Sequence, residues 1–491
     1  MKQILLFCAI FASSMIGAQT SYYVSPTGSN SAAGTLFNPF QTINHALSVS
    51  TPGTTVFVMG GNYSETIFMP TGAPGNRITL CNYGTQVATL TSPVGNTDAI
   101  INIIDVSFVT IQGLIISGYY ENDARGILIE GSCTDVWILN NRIESISFTY
   151  NSADPVLPTS NAQPLIVLGT DSVVPISNLL IKYNNILGCL TGNSEGLALN
   201  GNVDGFEISY NYVGDITNIG IDVIGGEGTC PNPVNDNTRN GIIRWNEVVN
   251  CYSLYATSAG IYSDGANNII IENNTVYENG WGIEAGCENV GVVSSNIIIR
   301  NNVVFHNREG GIVIGGYDYP TGSGKVVNSL VQHNTMVGNN LKATNGEIIV
   351  NYTENCKVNG NIAYNTSDPL LFSNDAGSLN FLCDYNCFYA GGTADFSLNG
   401  NTYSGLSAWQ SASVTDMNSF ETDPLLVNVA GFNLHLSALS PCIDSGDVAF
   451  SAVPSETDMD TSTRVQNGRV DIGADEYGTA VGVYVLAGNE N

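Results

Sequence analysis

The segments Ile271-Glu-Asn-Asn-Thr-Val276 and Ile299-Arg-Asn-Asn-Val-Val304 share one pattern, in which apolar residues lie three positions before and two positions after an Asn. This pattern recurs every 25 to 43 residues. Because the apolar flanks keep their register, the repeat predicts a solenoid of stacked coils rather than an Asn-rich surface. Its polar position is occupied by Gln112, Asn141, Asn184, Asn211, Asn246, Asn274, Asn302, Asn334, Asn361 and Asn386.

The predicted coils consist of short strands that bury alternate side chains and stack about 4.8 Å apart. At a sharp corner, Asn tolerates the left-handed backbone conformation, and its amide can bond to the Asn of the next coil. The sequence therefore predicts an all-β, right-handed parallel β-helix with an Asn ladder. A second strand opens on a glycine in most coils, at Gly126, Gly196, Gly220, Gly260, Gly282 and Gly311.

The two ends of the 491-residue chain lack the repeat. Residues 1–18 contain a basic residue near the start, then an apolar run and then small residues, an order that is typical of a signal peptide. From Thr42 to Val49 the apolar residues share one helical face, which predicts a cap helix. We predict a cap with the first coils at 19–80, the β-helix at 81–417, a C-terminal cap at 418–478 and an unassigned tail at 479–491.

Export is the expectation that follows from the signal peptide, with a secreted, cell-surface or periplasmic location. No later apolar stretch approaches the ~20 residues of a membrane helix, so no membrane span is predicted. Ten cysteines remain beyond Cys8, and most are predicted to be buried core thiols. Two disulfide bonds remain as alternatives, Cys383 with Cys387 and Cys230 with Cys251. The sequence does not indicate an oligomeric state.

The net charge of −29 makes nucleic acid and anionic membranes poor partners. Anionic polysaccharides are disfavoured for the same reason, unless Ca²⁺ bridges the carboxylates. The spacing of cysteines and histidines does not suggest zinc, and no cofactor is predicted, with Ca²⁺ as the one open alternative. A carbohydrate is the expected partner.

Acidic side chains occupy outward positions of the glycine-opened strands in three neighbouring coils. Period-two alternation places Asp222, Tyr262 with Asp264, and Glu284 on one face, with Asp215 in the turn that feeds it. Residues one or two coils apart lie about 5 or 10 Å apart. These separations bracket the ~5–5.5 Å of retaining and ~6.5–9.5 Å of inverting glycosidases. A solvated acidic face is the competing interpretation.

The segments Glu195–Gly201, Asn211–Asp215 and Asn218–Glu227 carry a family resemblance, which Arg239-Asn-Gly241 and residues 260–288 continue. They resemble the core of the β-helix lacto-N-biosidase-like glycoside hydrolases over about residues 165–340. The resemblance implies a retaining hydrolysis, with Asp215 as general acid/base and Asp222 as nucleophile.

The predicted function is therefore glycoside hydrolysis of a neutral oligosaccharide or glycan, with N-acetylated glycans among the candidates. A Ca²⁺-dependent polysaccharide lyase and a non-catalytic glycan-binding surface adhesin are the alternatives. Side chains near the acidic face are candidates to bind the sugar, namely Asn200, Glu227, Arg239, Tyr262, Asp264, Trp281 and Glu284.

Overall fold

The structure, a computed structural model, describes residues 20–342 and 345–478. The predicted signal peptide and the tail at 479–491 lie outside the described residues. Within those ranges no helix has the length and apolar character needed to cross a bilayer. The described chain forms the predicted right-handed parallel β-helix. It has three long sheets, and each coil contributes a strand to each sheet in turn.

The first sheet contains the strand that precedes each ladder corner. Its main path is Ser21–Val24, Thr55–Val58, Ile78–Asn82, Val109–Gln112, Val136–Leu139, Ile176–Lys182, Val203–Ser209, Thr238–Arg244, Asn267–Glu272, Ile298–Arg300, Leu330–Gln332, Lys357–Asn359 and Leu382–Asp384. Three further strands pair beside this path, Val293–Ser295, Lys325–Val327 and Thr353–Glu354.

The second sheet follows the corner. Its strands are Gly61–Ser64, Ala88–Thr91, Ile115–Tyr120, Arg142–Ser147, Asn185–Cys189, Tyr212–Ile216, Glu247–Cys251, Thr275–Tyr277, Val303–Phe305, Thr335–Val337, Ile362–Tyr364, Cys387–Tyr389 and Phe420–Glu421.

The third sheet contains the glycine-opened strands. Its strands are Ile67–Phe68, Ile101–Ile104, Ala124–Glu130, Ala162–Gly169, Leu197–Gly201, Ile221–Ile224, Ala259–Asp264, Trp281–Gly286, Gly310–Gly315, Ile348–Asn351, Leu370–Ala376, Asp395–Leu398 and Asn401–Ser404. A Cβ on Gly220 would lie 2.6 Å from the carbonyl oxygen of Gly260. The close approach of neighbouring coils at this corner therefore requires glycine there.

Apolar side chains from all three sheets form one continuous core, which runs from Val24 to Trp409. The N-terminal end carries the helix Ile43–Ser48, whose Ile43, Ala46 and Leu47 are buried, as the sequence predicts. Near the other end lie the helix Leu406–Ser413, the 3₁₀ turn Val429–Gly431 and an antiparallel hairpin of Leu426–Asn428 with Asn433–Leu436. The domain limits proposed from the sequence stay predictions.

The Asn ladder is present at nine of the ten predicted positions, from Asn141 to Asn386. From Asn184 onward, each amide oxygen accepts the backbone N–H and side-chain N–H of the Asn one coil earlier, as when Asn246 accepts from Asn211 at 3.0 Å. Gln112 was wrongly assigned to the ladder. The register pairs Ile111 with Ile138, so Leu114 occupies the ladder position, and its N–H donates to Asn141 Oδ1.

The left-handed residue at each corner is the one before the ladder Asn, not the Asn itself. Tyr210 and Trp245, for example, both have φ of 55°. Their rings stack 6.1 Å apart, so Trp245 packs at the corner. The ladder Asn is thus selected for its amide bonds rather than for its backbone conformation.

The ten described cysteines are free thiols, and all but Cys81 are buried. Neither bridge considered from the sequence is formed. Cys387 instead packs with Cys442 in one apolar cluster. Most cysteines therefore act as small core residues, as predicted.

Candidate functional site

An outward column of the third sheet carries the acidic residues that the sequence placed there. Asp222 pairs in register with Tyr262, and Tyr262 with Glu284. Neighbouring strands of a sheet lie about 4.8 Å apart, so the three side chains rise along one face. Loops and neighbouring side chains cover this face, because Asp222 is only 3% and Tyr262 only 4% exposed.

Asp222 is buried and surrounded by other carboxyl groups. Burial raises its pKa well above the usual value, and the negative charges of Glu195 and Asp264 raise it further. Its Oδ1 atom is buried and has no hydrogen-bond partner among the described residues. Leaving such an atom without a partner costs about 1–3 kcal/mol, so this oxygen is available to a bound group.

Glu195 is a functional candidate that the sequence analysis missed. It lies one coil before Asp222, two residues ahead of the strand Leu197–Gly201. Its burial, together with the negative charge of Glu227, raises the pKa of Glu195 to about 8. After burial, the negative charge of Glu195 is the largest influence on the pKa of Asp222. Close carboxyl groups of this kind share protons, and one member stays protonated at neutral pH.

Two further acids with raised pKa values, Asp264 and Glu284, lie on the following coils. Asp264 accepts the backbone N–H of Glu288 at 2.8 Å, and burial raises its pKa to about 7. Burial also raises the pKa of Glu284 to about 8, with Glu288 as the main charged neighbour. A Cβ on Gly286 would lie 2.8 Å from the Tyr262 hydroxyl, so glycine leaves room for the tyrosine ring.

We define the acidic cluster as Glu195, Asp222, Glu227, Asp264, Glu284 and Glu288. None of these residues takes part in an ion pair among the described residues. Burial, and after it the negative charge of neighbouring carboxylates that no cation offsets, therefore raises the pKa values of Glu195, Asp222 and Glu284.

A cavity of about 590 Å³ opens beside the Glu284 end of the column. Tyr262, Trp281 and Tyr317 line it together with Glu284 and Glu288. Trp281 packs against the apolar cluster of Ile219, Ala259 and Tyr262, and both aromatic side chains line the cavity. The volume falls within the range of about 300–1,000 Å³ that small-molecule sites occupy.

Amide side chains with unused acceptors lie near Asp222. Asn200 donates to Glu227 Oε2 at 2.8 Å, and its Oδ1 is buried without a partner among the described residues. Asn218, in the turn before the strand of Asp222, has a buried Oδ1 in the same state. Hydroxyl groups of a ligand would satisfy these oxygens. Asn218 was not among the predicted binding residues.

Two predicted site residues, Asp215 and Arg239, belong to the other two sheets. Asp215 is exposed on the second sheet, where its Oδ1 accepts from Asn250 Nδ2 at 2.8 Å. The chain turns a corner between Asp215 and Asp222, so their side chains lie on different faces. Arg239 belongs to the first sheet, where it pairs with Asp204 at 3.1 Å. The prediction that Asp215 lies together with Asp222 and Glu284 is therefore wrong, because Asp215 is on a different sheet.

Sequence comparison identifies a relative that spans most of the chain. The uncharacterized protein YwoF of Bacillus subtilis (strain 168) is 33% identical over 447 residues, which cover 87% of this chain and 92% of YwoF. The chain belongs to the YwoF family. Residues 26–68 also match the family described as protein of unknown function (DUF1565). Pectate lyase PEL9 of Emericella nidulans is 38% identical over 65 residues, which cover 13% of this chain and 15% of PEL9.

Solved structures with the same fold include carbohydrate-active enzymes. Pectate lyase Pel9A aligns with a TM-score of 0.54 and 14% identity, over 94% of this chain and 98% of that one. This likeness shows the fold alone. The lacto-N-biosidase of family GH136 from Eubacterium ramulus aligns with a TM-score of 0.47 and 13% identity, over 68% of this chain and 67% of that one. Specific kinship with the lacto-N-biosidases is therefore not shown for the YwoF family.

Proposed function

We propose that the chain is a secreted glycoside hydrolase that cleaves a neutral glycan with the carboxyl pair Asp222 and Glu195. The observation that carries the proposal is the buried Asp222, which has one oxygen without a partner among the described residues and whose pKa is raised by burial and by the negative charge of Glu195. Environments that keep one carboxyl group neutral beside an ionised one supply a general acid and a nucleophile together.

In the proposed retaining mechanism, the ionised member of the pair attacks the anomeric carbon as the glycosidic C–O bond breaks. The protonated member gives its proton to the leaving oxygen, which departs as a hydroxyl group. The now ionised second carboxylate then takes a proton from water, whose oxygen displaces the enzyme carboxylate from the anomeric carbon. Both carboxyl groups return to their starting states.

A neutral substrate fits the charges around the pair. The chain carries a net charge of −29, and the acidic cluster lacks an ion-paired cation among the described residues. A uronate polymer would meet like charge at the cluster and on approach. Sugar hydroxyls can donate to Asn200 and Asn218, and Trp281 offers an apolar surface to a sugar ring. We include glycans that end in N-acetylated disaccharides among the candidate substrates.

A Ca²⁺-dependent pectate or related lyase is the second candidate, and the 65-residue match to pectate lyase PEL9 favours it. Carboxylates of the acidic cluster would then bind Ca²⁺. A lyase also needs a base, usually Lys or Arg. Lys325 and Lys342 are instead ion-paired with Glu354 and Glu309, and Lys182 lies over two tyrosine rings. We therefore favour hydrolysis.

A product assay separates these functions. Purified protein is incubated with neutral oligosaccharides, including N-acetylated ones, and with uronate polymers, each with and without chelator. We expect a new reducing end from a neutral glycan, unchanged by chelator and without ultraviolet absorbance. An unsaturated ultraviolet-absorbing product that chelator abolishes would establish the lyase instead. Binding without any product would establish a non-catalytic glycan-binding protein.

The rate of hydrolysis should fall as the pH rises past about 8. The reaction needs one proton on the pair, and burial holds the pKa of Glu195 at about 8 and that of Asp222 well above its usual value. Raising the pH removes this proton and with it the general acid. The measurement is kcat against pH from 5 to 10, with circular dichroism at each pH to show that the fold persists. A rate that stays constant up to pH 10 would contradict the shared proton.

A further inference from the structure

A histidine and two aspartates from separate segments converge at the C-terminal end of the chain. His435 lies in the strand Asn433–Leu436, Asp460 in the turn that follows Asp458, and Asp475 in the last described segment. One ligand atom from each of His435, Asp460 and Asp475 lies within 4.8 Å of the others. We propose that these three residues bind a divalent transition-metal cation, with Zn²⁺ as the best match.

The imidazole of His435 has the orientation of a metal ligand. Its Nδ1 lies 2.6 Å from Asn433 Oδ1, an oxygen that can only accept, so Nδ1 donates its proton there. Nε2 lies 3.0 Å from Asp460 Oδ2, in a direct contact that an ion held by both residues would replace. Metal-binding histidines are usually fixed in this way, with one ring nitrogen donating to an oxygen and the other facing the ion.

The two carboxylates are also held in place by the backbone. Asp475 Oδ2 accepts the N–H of Leu436 at 2.7 Å, directly beside the histidine. The turn that carries Asp460 is fixed by Asp458, whose Oδ1 accepts the N–H of Asp460 at 2.9 Å and that of Ser462 at 2.7 Å. All three donors are therefore positioned by the fold before any ion binds.

Charge at this place favours a dication. The side chain of Asp460 is 4% exposed and Asp475 is 5% exposed. Buried carboxylates are costly unless they are paired or bind a metal. Arg464, in the same segment, forms its ion pair with Glu476, at 3.7 Å. A single imidazolium offsets at most one of the two negative charges, whereas Zn²⁺ offsets both.

The donor types and the free space select the ion. Imidazole suits Zn²⁺ better than Ca²⁺, which prefers oxygen ligands alone. A cavity of about 350 Å³ adjoins the three residues, lined by Asn433, His435, Asp460 and Asp475 among others. It leaves room for water as the fourth ligand of a tetrahedral site. The ion would join the hairpin, the turn and the terminal segment of the C-terminal end.

The test uses untagged protein that has been stripped with chelator and then titrated with ZnCl₂. We expect one Zn²⁺ per chain by calorimetry, and a Tm rise of about 3 °C at a free Zn²⁺ concentration about 100 times Kd. His435→Gln and Asp460→Asn should each lose the Zn²⁺-dependent rise. His45→Gln, a histidine change at the N-terminal cap, is the matched control and should keep it.

The readout is the increment caused by Zn²⁺, so a variant that is merely less stable remains informative. Co²⁺ provides an independent signal, because a tetrahedral site with a histidine ligand gives visible absorption that His435→Gln should remove. Failure of the wild type to bind Zn²⁺ or Co²⁺ would overturn the proposal. So would an unchanged Zn²⁺ increment in both variants. Neither outcome bears on hydrolysis at Asp222.

Discussion

Asp222→Asn is expected to lower kcat by about 10³–10⁴-fold, because it removes a carboxyl group that touches the reacting atoms. The same change should leave the Tm equal or higher. Asp222 is buried among like charges and has an unpartnered oxygen, so its carboxyl group destabilises the fold, and the neutral amide relieves the repulsion. A loss of rate together with gained stability is typical of a functional site.

Asp215→Asn is the matched comparison for this variant, since it changes an aspartate seven residues earlier in the same coil. The Asp215 side chain is exposed and bonded to Asn250, away from the acidic cluster. We therefore expect its kcat to stay within about twofold of wild type, as for surface changes in general. A thousandfold loss in Asp215→Asn with full activity in Glu195→Gln would restore the assignment implied by the family resemblance.

Glu195→Gln should match the loss in Asp222→Asn, and sodium azide can separate the two roles. Azide replaces a missing nucleophile and gives a glycosyl azide of inverted configuration. In a variant that lacks only the acid/base, azide attacks the covalent intermediate and gives the retained configuration. The anomeric configuration from each variant, read by proton NMR, assigns nucleophile and acid/base within the pair. Full activity in Asp222→Asn would refute the proposed mechanism.

The frame of this site follows from the sequence because the repeat is strictly periodic. Once the Asn positions are aligned, period-two alternation decides which residue of each coil faces outward, and Asp222, Tyr262 and Glu284 do share one column. The repeat is ambiguous at Gln112. The pattern there also fits two residues out of register, and only the observed pairing of Ile111 with Ile138 decides between them.

The chemistry of the site depends on features that alternation does not describe. Glu195 precedes its strand, so no strand position predicts where its side chain points, although it proves to be the main charged neighbour of Asp222. The corner between Asp215 and Asp222 sends two acids that are near in sequence to different faces. The C-terminal segment does not repeat, so the convergence of His435 with Asp475 has no periodic signal.

Arg300→Met is expected to lower the free energy of unfolding by about 3–5 kcal/mol, since it leaves buried carboxylates without their cation. Arg300 donates to Glu272 at 2.7 Å and to Glu456 at 3.0 Å. The exposed fractions of the three side chains are 6%, 5% and 1%. Glu272 belongs to the neighbouring coil and Glu456 to the C-terminal segment, so one guanidinium joins the solenoid to its end.

Urea unfolding of both proteins, followed by circular dichroism, measures this loss. Arg142→Met is the matched control, because the Arg142 side chain is 48% exposed in its pair with Glu144 and should contribute at most about 1 kcal/mol. Adding Glu456→Gln to Arg300→Met should recover part of the loss, since it removes one stranded charge. Equal stability of Arg300→Met and Arg142→Met would mean that the C-terminal segment does not depend on Arg300 to stay docked.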